Sequence, residues 1–265
     1  MNWKLLVASA ALFVSQSFAI IGLGFHYAPN FGTKLKSASE SNVYDLSIDE
    51  YDVSLGSVGY KHGGFENMQG FGAKLWLDCL PIIDLEGTFN IYFGSYNATL
   101  SLYDGNDELV SSQKLEVDFD GVPFGKATPK FVAMNGDLSI TLPITGLPLI
   151  RPYIGGGITY FVSTPVLTDE FVSKFLEKNG ADILLNISNL TEEQADELAD
   201  EIIDAIEDEG FSKGLGGHIL VGFRLKLPII PVAAYANYKY YFGGDFDDAV
   251  DFGRHVIEVG AGFAI

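Results

Sequence analysis

Large apolar side chains alternate with small or polar side chains in eight segments of about ten residues. The period is two, the spacing at which successive side chains of a strand point to opposite faces. In the segment 216–227, Ile219 and Val221 alternate with His218 and Gly222. The eight predicted strands span about 19–28, 69–79, 83–95, 131–142, 151–162, 216–227, 232–242 and 254–265. The pattern predicts an all-β protein.

The two faces of these strands differ in size and polarity. The polar and glycine-rich faces would crowd a small interior, and the large apolar side chains would face outward. About ten residues also suits a tilted strand that crosses a membrane. Aromatic side chains recur near the strand ends on the outward face, at Tyr27, Phe93, Tyr160, Tyr240, Phe242 and Phe263. We therefore predict a single eight-stranded antiparallel transmembrane β-barrel; the alternative is a secreted β-sandwich whose apolar faces meet.

The connections between the predicted strands alternate strictly between short and long. The short, proline-bearing turns are 79–84, 142–152 and 226–231, and the long polar loops are 29–68, 96–130, 163–215 and 243–253. Outer-membrane barrels have short periplasmic turns and long extracellular loops. The stretch 98–117 reads as a hairpin around Asp104 and Gly105. We interpret it as a strand extension above the membrane, with a ten-stranded barrel as the alternative.

Residues 1–19 have the features of a signal peptide. Lys4 precedes the apolar run 5–14, and Ser17-Phe18-Ala19 is a small-x-small cleavage site. We expect export of the domain 20–265. Beyond residue 19 there is no run of 18 apolar residues, which argues against a helical membrane protein. Cys79 is the single cysteine, so no internal disulfide can form.

The chain ends on an alternating apolar strand. In a barrel this strand pairs with the first one, so it leaves no free edge. The ending resembles the C-terminal β-signal read by the bacterial barrel-assembly machinery at Glu258, Gly260, Phe263 and Ile265, although that family usually ends in Phe or Trp. The whole mature chain resembles the small eight-stranded outer-membrane barrels, the OmpA-barrel and OmpW-like group. The resemblance implies a porin-like cell-envelope protein of the bacterial outer membrane, with membrane lipid and the assembly machinery as partners.

Charge narrows the list of partners. The net charge of −19 would repel nucleic-acid phosphates.

Inside the predicted barrel, alternation places a lumen charge cluster of Asp78, Asp84, Glu86, Arg151, Arg224, Lys226 and Glu258, and also Lys74, Asp137 and Lys239. Unpaired buried charges are costly, so a salt-bridge plug is favoured over a gated ion path. An eight-stranded interior can be filled by side chains, and we expect a non-conducting lumen.

No residue set points to catalysis or to a cofactor. Alternation directs His26 inward and His255 outward, and no Ser-His-carboxylate set is predicted to converge. The acidic stretch 245–251 resembles calcium ligands but lacks the EF-hand glycine and terminal Glu. We expect no enzyme activity and no metal.

The loop 163–215 carries helical signals. A short helix is predicted at about 168–178, and Thr191 opens a capping box that leads into an acidic amphipathic helix, 191–209, ended by Gly210. These helices are expected to pack on each other or cap the barrel mouth; a partner-binding face is the alternative. The favoured function is a surface-exposed structural or interaction protein that uses loops 29–68 and 163–215. The alternatives are an OmpW-like transporter of small apolar solutes and, less favoured, a barrel enzyme.

Overall fold

The chain folds into a β-barrel with a second sheet and a helix at one end. The computed structural model describes residues 20–48, 53–78, 82–115, 130–144, 150–186, 211–226, 231–244 and 246–264. The expected signal peptide, the acidic helix at 191–209, Cys79 and Ile265 lie outside these ranges. The strands are β1 Ile20–Tyr27, β2 Asn30–Leu35, β3 Ala38–Ile48, β4 Val53–His62, β5 Phe65–Asp78, β6 Asp84–Ser95, β7 Ala98–Asp104, β8 Leu109–Lys114, β9 Lys130–Pro143, β10 Ile150–Ser163, β11 Ser212–Lys226, β12 Val232–Phe242, β13 Val250–Asp251 and β14 His255–Ala264.

Eight of these strands close into the barrel. They pair antiparallel in the order β1-β14-β12-β11-β10-β9-β6-β5, and β5 pairs back onto β1. The closing ladders place Leu23 opposite Phe263 on one side and opposite Leu75 on the other. The eight-stranded prediction is confirmed, and the ten-stranded and sandwich alternatives are wrong.

The barrel is apolar outside and polar inside, as alternation predicted. Outward side chains such as Phe25 and Ile158 are 69% and 61% exposed, while the inward Lys74 and Arg224 are fully buried. A soluble barrel would have the opposite arrangement, because water would meet its outer face. An outward apolar band around a polar interior is the arrangement of a transmembrane β-barrel.

The part of the chain above the barrel is more ordered than expected. Loop 29–68 was predicted as a long loop, but it contains β2, β3 and β4. Strands β3, β4, β7 and β8 form a separate four-stranded sheet, which we call the extracellular sheet. The β3–β4 ladder shifts register at three places. Each shift interrupts the alternation between the two faces of the strand. The period-two pattern therefore does not continue along β3 and β4, and it does not predict these strands.

The hairpin predicted at 98–117 exists as β7 and β8. It does not extend the barrel wall, because β7 pairs with β4 in the extracellular sheet. The wall is instead extended by β2 and β13, which pair with each other above the barrel.

The described helix of the loop 163–215 is α1, Asp169–Asn186, which continues well past the predicted end at 178. It begins after Thr168, whose hydroxyl accepts a hydrogen bond from the amide of Phe171. Val172 and Leu176 are buried against the extracellular sheet, in the same apolar core as Val58 and Leu102. No helix in the described ranges is both long and apolar enough to cross a membrane.

Candidate functional site in the barrel lumen

The end of the lumen beside the short turns holds a cluster of ion pairs. The Arg224 guanidinium donates to Asp78 at 2.8 Å and to Glu86 at 2.7 Å. Arg151 donates to the other oxygen of Asp78 at 2.9 Å and to Asp84 at 3.1 Å. Two cations from neighbouring strands therefore share the Asp78 carboxylate. We call these five residues the lower cluster.

The two remaining residues of the predicted charge cluster are Glu258 and Lys226. Glu258 lies higher in the lumen, as its position far from the short turns predicts, and the side chain of Lys226 is not among those that the structure describes. Arg224 is held by more than charge, since its guanidinium lies 4.7 Å from the Trp76 ring. Trp76 can cross the lumen because Gly22 has no side chain; a Cβ there would lie 1.9 Å from the indole.

A second set of ion pairs continues upward from the lower cluster. Lys74 Nζ lies 3.1 Å from both Glu86 and Glu258. Lys239 Nζ lies 2.7 Å from Glu258 and 2.7 Å from Asp137. Positive and negative groups thus alternate from Asp84 to Asp137, and all members of this upper network are buried. Fully paired charges of this kind hold one another in place across a narrow interior.

The upper network also contains a hydrogen-bonded histidine that the sequence did not reveal. His218 Nε2 lies 2.8 Å from the Ser139 hydroxyl, and His218 Nδ1 lies 2.8 Å from the Thr159 hydroxyl and 3.9 Å from Asp137. The expectation that no Ser-His-carboxylate set converges is therefore wrong. Ser139 and His218 are the two register partners of Gly157, and they meet over it because it carries no side chain.

This histidine set is closed to a substrate. Ser139 and His218 are each 1% exposed, and Thr159 is fully buried. A nucleophile needs an approach path for the group that it attacks, and neither side chain reaches solvent. The arrangement supports the packing of the lumen.

The remaining barrel histidines lie on opposite faces, as predicted. His26 is buried, with Nε2 2.6 Å from the Asn90 amide oxygen and Nδ1 3.0 Å from the Tyr235 hydroxyl. His255 faces outward, 2.7 Å from the Tyr238 hydroxyl. The two imidazoles therefore share no proton.

Aromatic side chains close the opposite end of the lumen. Phe246 and Phe252 come from the last long loop, and their ring centroids are 4.7 Å apart. Both rings lie 5.3 Å from Phe161 of β10. Together with Phe131 and Tyr241 they form what we call the aromatic plug. Phe246, which belongs to the acidic stretch 245–251, is therefore a packing residue. Among the described residues, no group of three side chains that could bind a metal ion comes together.

One polar cluster lies outside the barrel, on the extracellular sheet. Glu40 accepts hydrogen bonds from the Tyr103 hydroxyl at 2.5 Å and from Lys61 at 3.0 Å. Hydrogen bonds to the ionised form lower the pKa of the Glu40 carboxyl to about 2. The bond from Tyr103 has the largest effect, followed by those from Ser101 and Lys61. Glu40 is therefore ionised throughout the physiological range.

Comparison by sequence finds no matching protein-family model and no matching curated protein. Comparison by structure finds Ail, the attachment invasion locus protein of Yersinia pestis, at 10% identity and a TM-score of 0.41, with 93% of this chain and 99% of that chain covered. The outer membrane protein OprG of Pseudomonas aeruginosa is 11% identical with a TM-score of 0.44, covering 94% and 97%. Neisserial surface protein A is 10% identical with a TM-score of 0.40, covering 94% and 96%.

These TM-scores are below 0.5, so the assignment of the fold rests on the geometry of this chain itself. That geometry consists of eight closed antiparallel strands, an apolar outer band and a filled polar lumen. The chain is a small eight-stranded transmembrane β-barrel, and the solved structures that it resembles are outer-membrane barrels.

Proposed function

We propose that this protein is a surface-exposed interaction protein of the bacterial outer membrane, in which a non-conducting barrel anchors a folded extracellular layer. The observation that carries the proposal is the double closure of the lumen. Ion pairs fill it from Asp84 to Asp137, and the aromatic plug covers the opposite end. A barrel closed in this way serves as an anchor, and the side chains that could meet a partner lie in the layer above it.

The extracellular layer, which consists of the extracellular sheet and α1, supports a binding role because it has its own apolar core. Leu46, Val58 and Tyr60 of the extracellular sheet pack with Val172 and Leu176 of α1. The Tyr60 hydroxyl also donates to the Leu167 carbonyl at 2.8 Å. A rigid scaffold holds side chains in fixed positions, which is what recognition of a partner requires.

The polarity of the lumen argues against transport of apolar solutes. A path for such solutes needs an apolar, open lining, whereas the central lumen is lined by paired carboxylates and cations. Moving an apolar molecule through would separate these pairs in a low-dielectric interior.

The location is tested by extraction with alkaline carbonate and by gel mobility with and without heating. We expect the protein to stay with the membrane and to migrate differently when unheated. Release into the soluble fraction together with unchanged mobility would contradict the proposed location.

The role is tested by deletion and by conductance. A variant in which a short Gly-Ser linker replaces residues 38–62 should still fold as a barrel, while vesicles that carry it lose adhesion to cultured cells. The matched control replaces only the β7–β8 turn residues 105–108. The parent protein should show no steady conductance in planar bilayers. Large, stable single-channel steps from the parent would refute the anchor function and favour a channel.

A further inference from the structure

The outward face of the barrel carries an apolar groove of about 460 Å³. Its walls are large side chains that are about half exposed or more, at Leu23, Leu75, Phe89, Leu138, Tyr160 and Leu215. Its floor lies where β6 and β9 run side by side, at Gly87 and Gly136. The groove therefore opens toward the hydrocarbon that surrounds a transmembrane barrel.

The two floor glycines are not required by the packing of the chain. A Cβ at Gly157 would lie 1.9 Å from the Leu138 carbonyl oxygen, so that glycine is fixed by its own neighbours. At Gly87 and Gly136 an added Cβ would meet nothing within 4 Å. Glycine weakens a strand and often marks a place where a ligand approaches the backbone closely.

A lysine lies directly above the groove. The register places Leu215 opposite Tyr160, and Tyr160 opposite Gly136. Lys213 is the next outward residue on β11, about 7 Å above Leu215 on the side away from the short turns. Within the described part of the chain, the lumen cations and Lys34, Lys36 and Lys61 have a carboxylate partner, whereas the exposed Lys213 and Lys130 do not. Lys130 is the first residue of β9, the strand that carries Gly136. Both lysines lie on the side of the groove away from the short turns.

We propose that this groove binds one molecule of a phosphorylated, multiply acylated lipid of the outer leaflet, with the chemistry of lipid A. Its phosphate pairs with Lys213, and one acyl chain runs past Tyr160 and Leu215 onto the floor at Gly136 and Gly87. Charge complementarity selects the lipid, because a cation above an apolar groove matches an anionic headgroup above an acyl chain. The inference rests on the proposed membrane location.

The experiment measures how much lipid A the purified full-length protein retains in detergent, by native mass spectrometry after washing. A Cβ at Gly87 or Gly136 would meet no atom of the chain within 4 Å, so Gly87→Leu and Gly136→Leu place an apolar side chain into the groove, and each should lower retention at least fivefold. Ala234→Leu is the matched control, since Ala234 faces outward on β12 beyond the groove. Lys213→Gln should lower retention by about fivefold at low salt. Its control is Lys114→Gln on the extracellular sheet, and both controls should stay within twofold of the parent.

Two outcomes would overturn the lipid site. One is equal retention by the parent, Gly87→Leu and Gly136→Leu, and the other is equal retention of lipid A and of its dephosphorylated form. Heat-dependent gel mobility is recorded for every variant. If the parent itself lacks that mobility shift, the membrane location fails, and this result is distinct from loss of lipid by a barrel that still folds.

Discussion

Replacing Arg224 by alanine removes the cation on which the lower cluster depends. Arg224 is 1% exposed and donates to Asp78 and Glu86, two buried carboxylates that lie on neighbouring barrel strands. In the variant, Asp78 keeps Arg151 and Glu86 keeps Lys74, but each loses its shortest ion pair. We expect a loss of stability that far exceeds that of a surface ion pair.

The magnitude follows from burial. Removing one partner of a buried ion pair destabilises a protein by about 3–5 kcal/mol. In this variant the carboxylates of Asp78, Asp84 and Glu86 share only Arg151 and Lys74, so negative charge inside the barrel is left in excess. The contact with the Trp76 ring adds to the loss. Arg151→Ala is the matched control, since the Arg151 side chain is 27% exposed and solvent can reach its site. Its effect should be about 1.5 kcal/mol, the lower range for a hydrogen bond to a charged group.

The assay is equilibrium unfolding by urea in lipid vesicles, followed by tryptophan fluorescence and by gel mobility. Combining Arg224→Ala with Asp78→Asn and Glu86→Gln removes the uncompensated charges, and should recover at least half of the lost free energy. If Arg224→Ala unfolds within about 1 kcal/mol of the parent, the lower cluster is solvated in the membrane, and the argument from burial fails.

Conductance provides a separate test of the same variant. The lumen has two closures in series, so Arg224→Ala alone should still block ions at the aromatic plug. Phe246→Ala alone should also stay closed, because the ion pairs remain. The double variant should conduct. Steady conductance by either single variant would show that one closure is insufficient.

Four further predictions concern assembly, the histidine set and the extracellular sheet. Deleting 262–265 removes the pairing of β14 with Gly22, Leu23 and Gly24, so the heat-modifiable form should disappear from membranes, while Ile265→Phe should assemble normally. A fluorophosphonate probe should leave Ser139 unlabelled in the folded protein, and Ser139→Ala should lower the free energy of unfolding by about 1 kcal/mol; labelling would reveal an access path. The Glu40 carboxyl should titrate near pH 2 by carbon NMR, and Tyr103→Phe should move the midpoint toward 4.5. Because the pKa is lower in the folded state, the stability that ionised Glu40 adds is complete above about pH 4.5 and is lost as the pH falls through about 2. Tyr60→Phe removes the bond to Leu167 and should increase protease cleavage of α1 by about fivefold, consistent with a loss of about 1 kcal/mol.

Several features of the lumen could be read from the sequence because a strand has a simple period. Once β5 and β6 are recognised, alternation alone directs Lys74 and Glu86 inward, and the short turns bring Asp78 near Asp84. The contacts within the lumen depend on register and diameter. Ser139 and His218 are far apart in sequence, and their contact needs a glycine of β10 at the same level between them. A search for glycines that separate inward polar residues on flanking strands could have found this pair.

The strands of the extracellular sheet could not be predicted from the sequence. Strands β3 and β4 are rich in polar residues, and their ladder is interrupted by register shifts, so their local pattern resembles a loop. Tertiary packing stabilises them, because Val58 and Tyr60 are buried in a core that the sheet shares with Val172 and Leu176 of α1. The aromatic plug also depends on tertiary contacts, because Phe246 and Phe252 pack on Phe161 of β10, which is remote in sequence.

Alternation along the chain favours eight barrel strands over ten, and it predicts the residues on each face and the succession of short and long connections. Hydrocarbon outside and a narrow polar interior impose one period on every strand, and this period is written locally in the chain. The pairing of carboxylates with cations, the aromatic closure of the mouth and the position of the outer groove become visible only in the folded barrel. These features depend on distances between strands that are remote in sequence, and no local pattern encodes such distances.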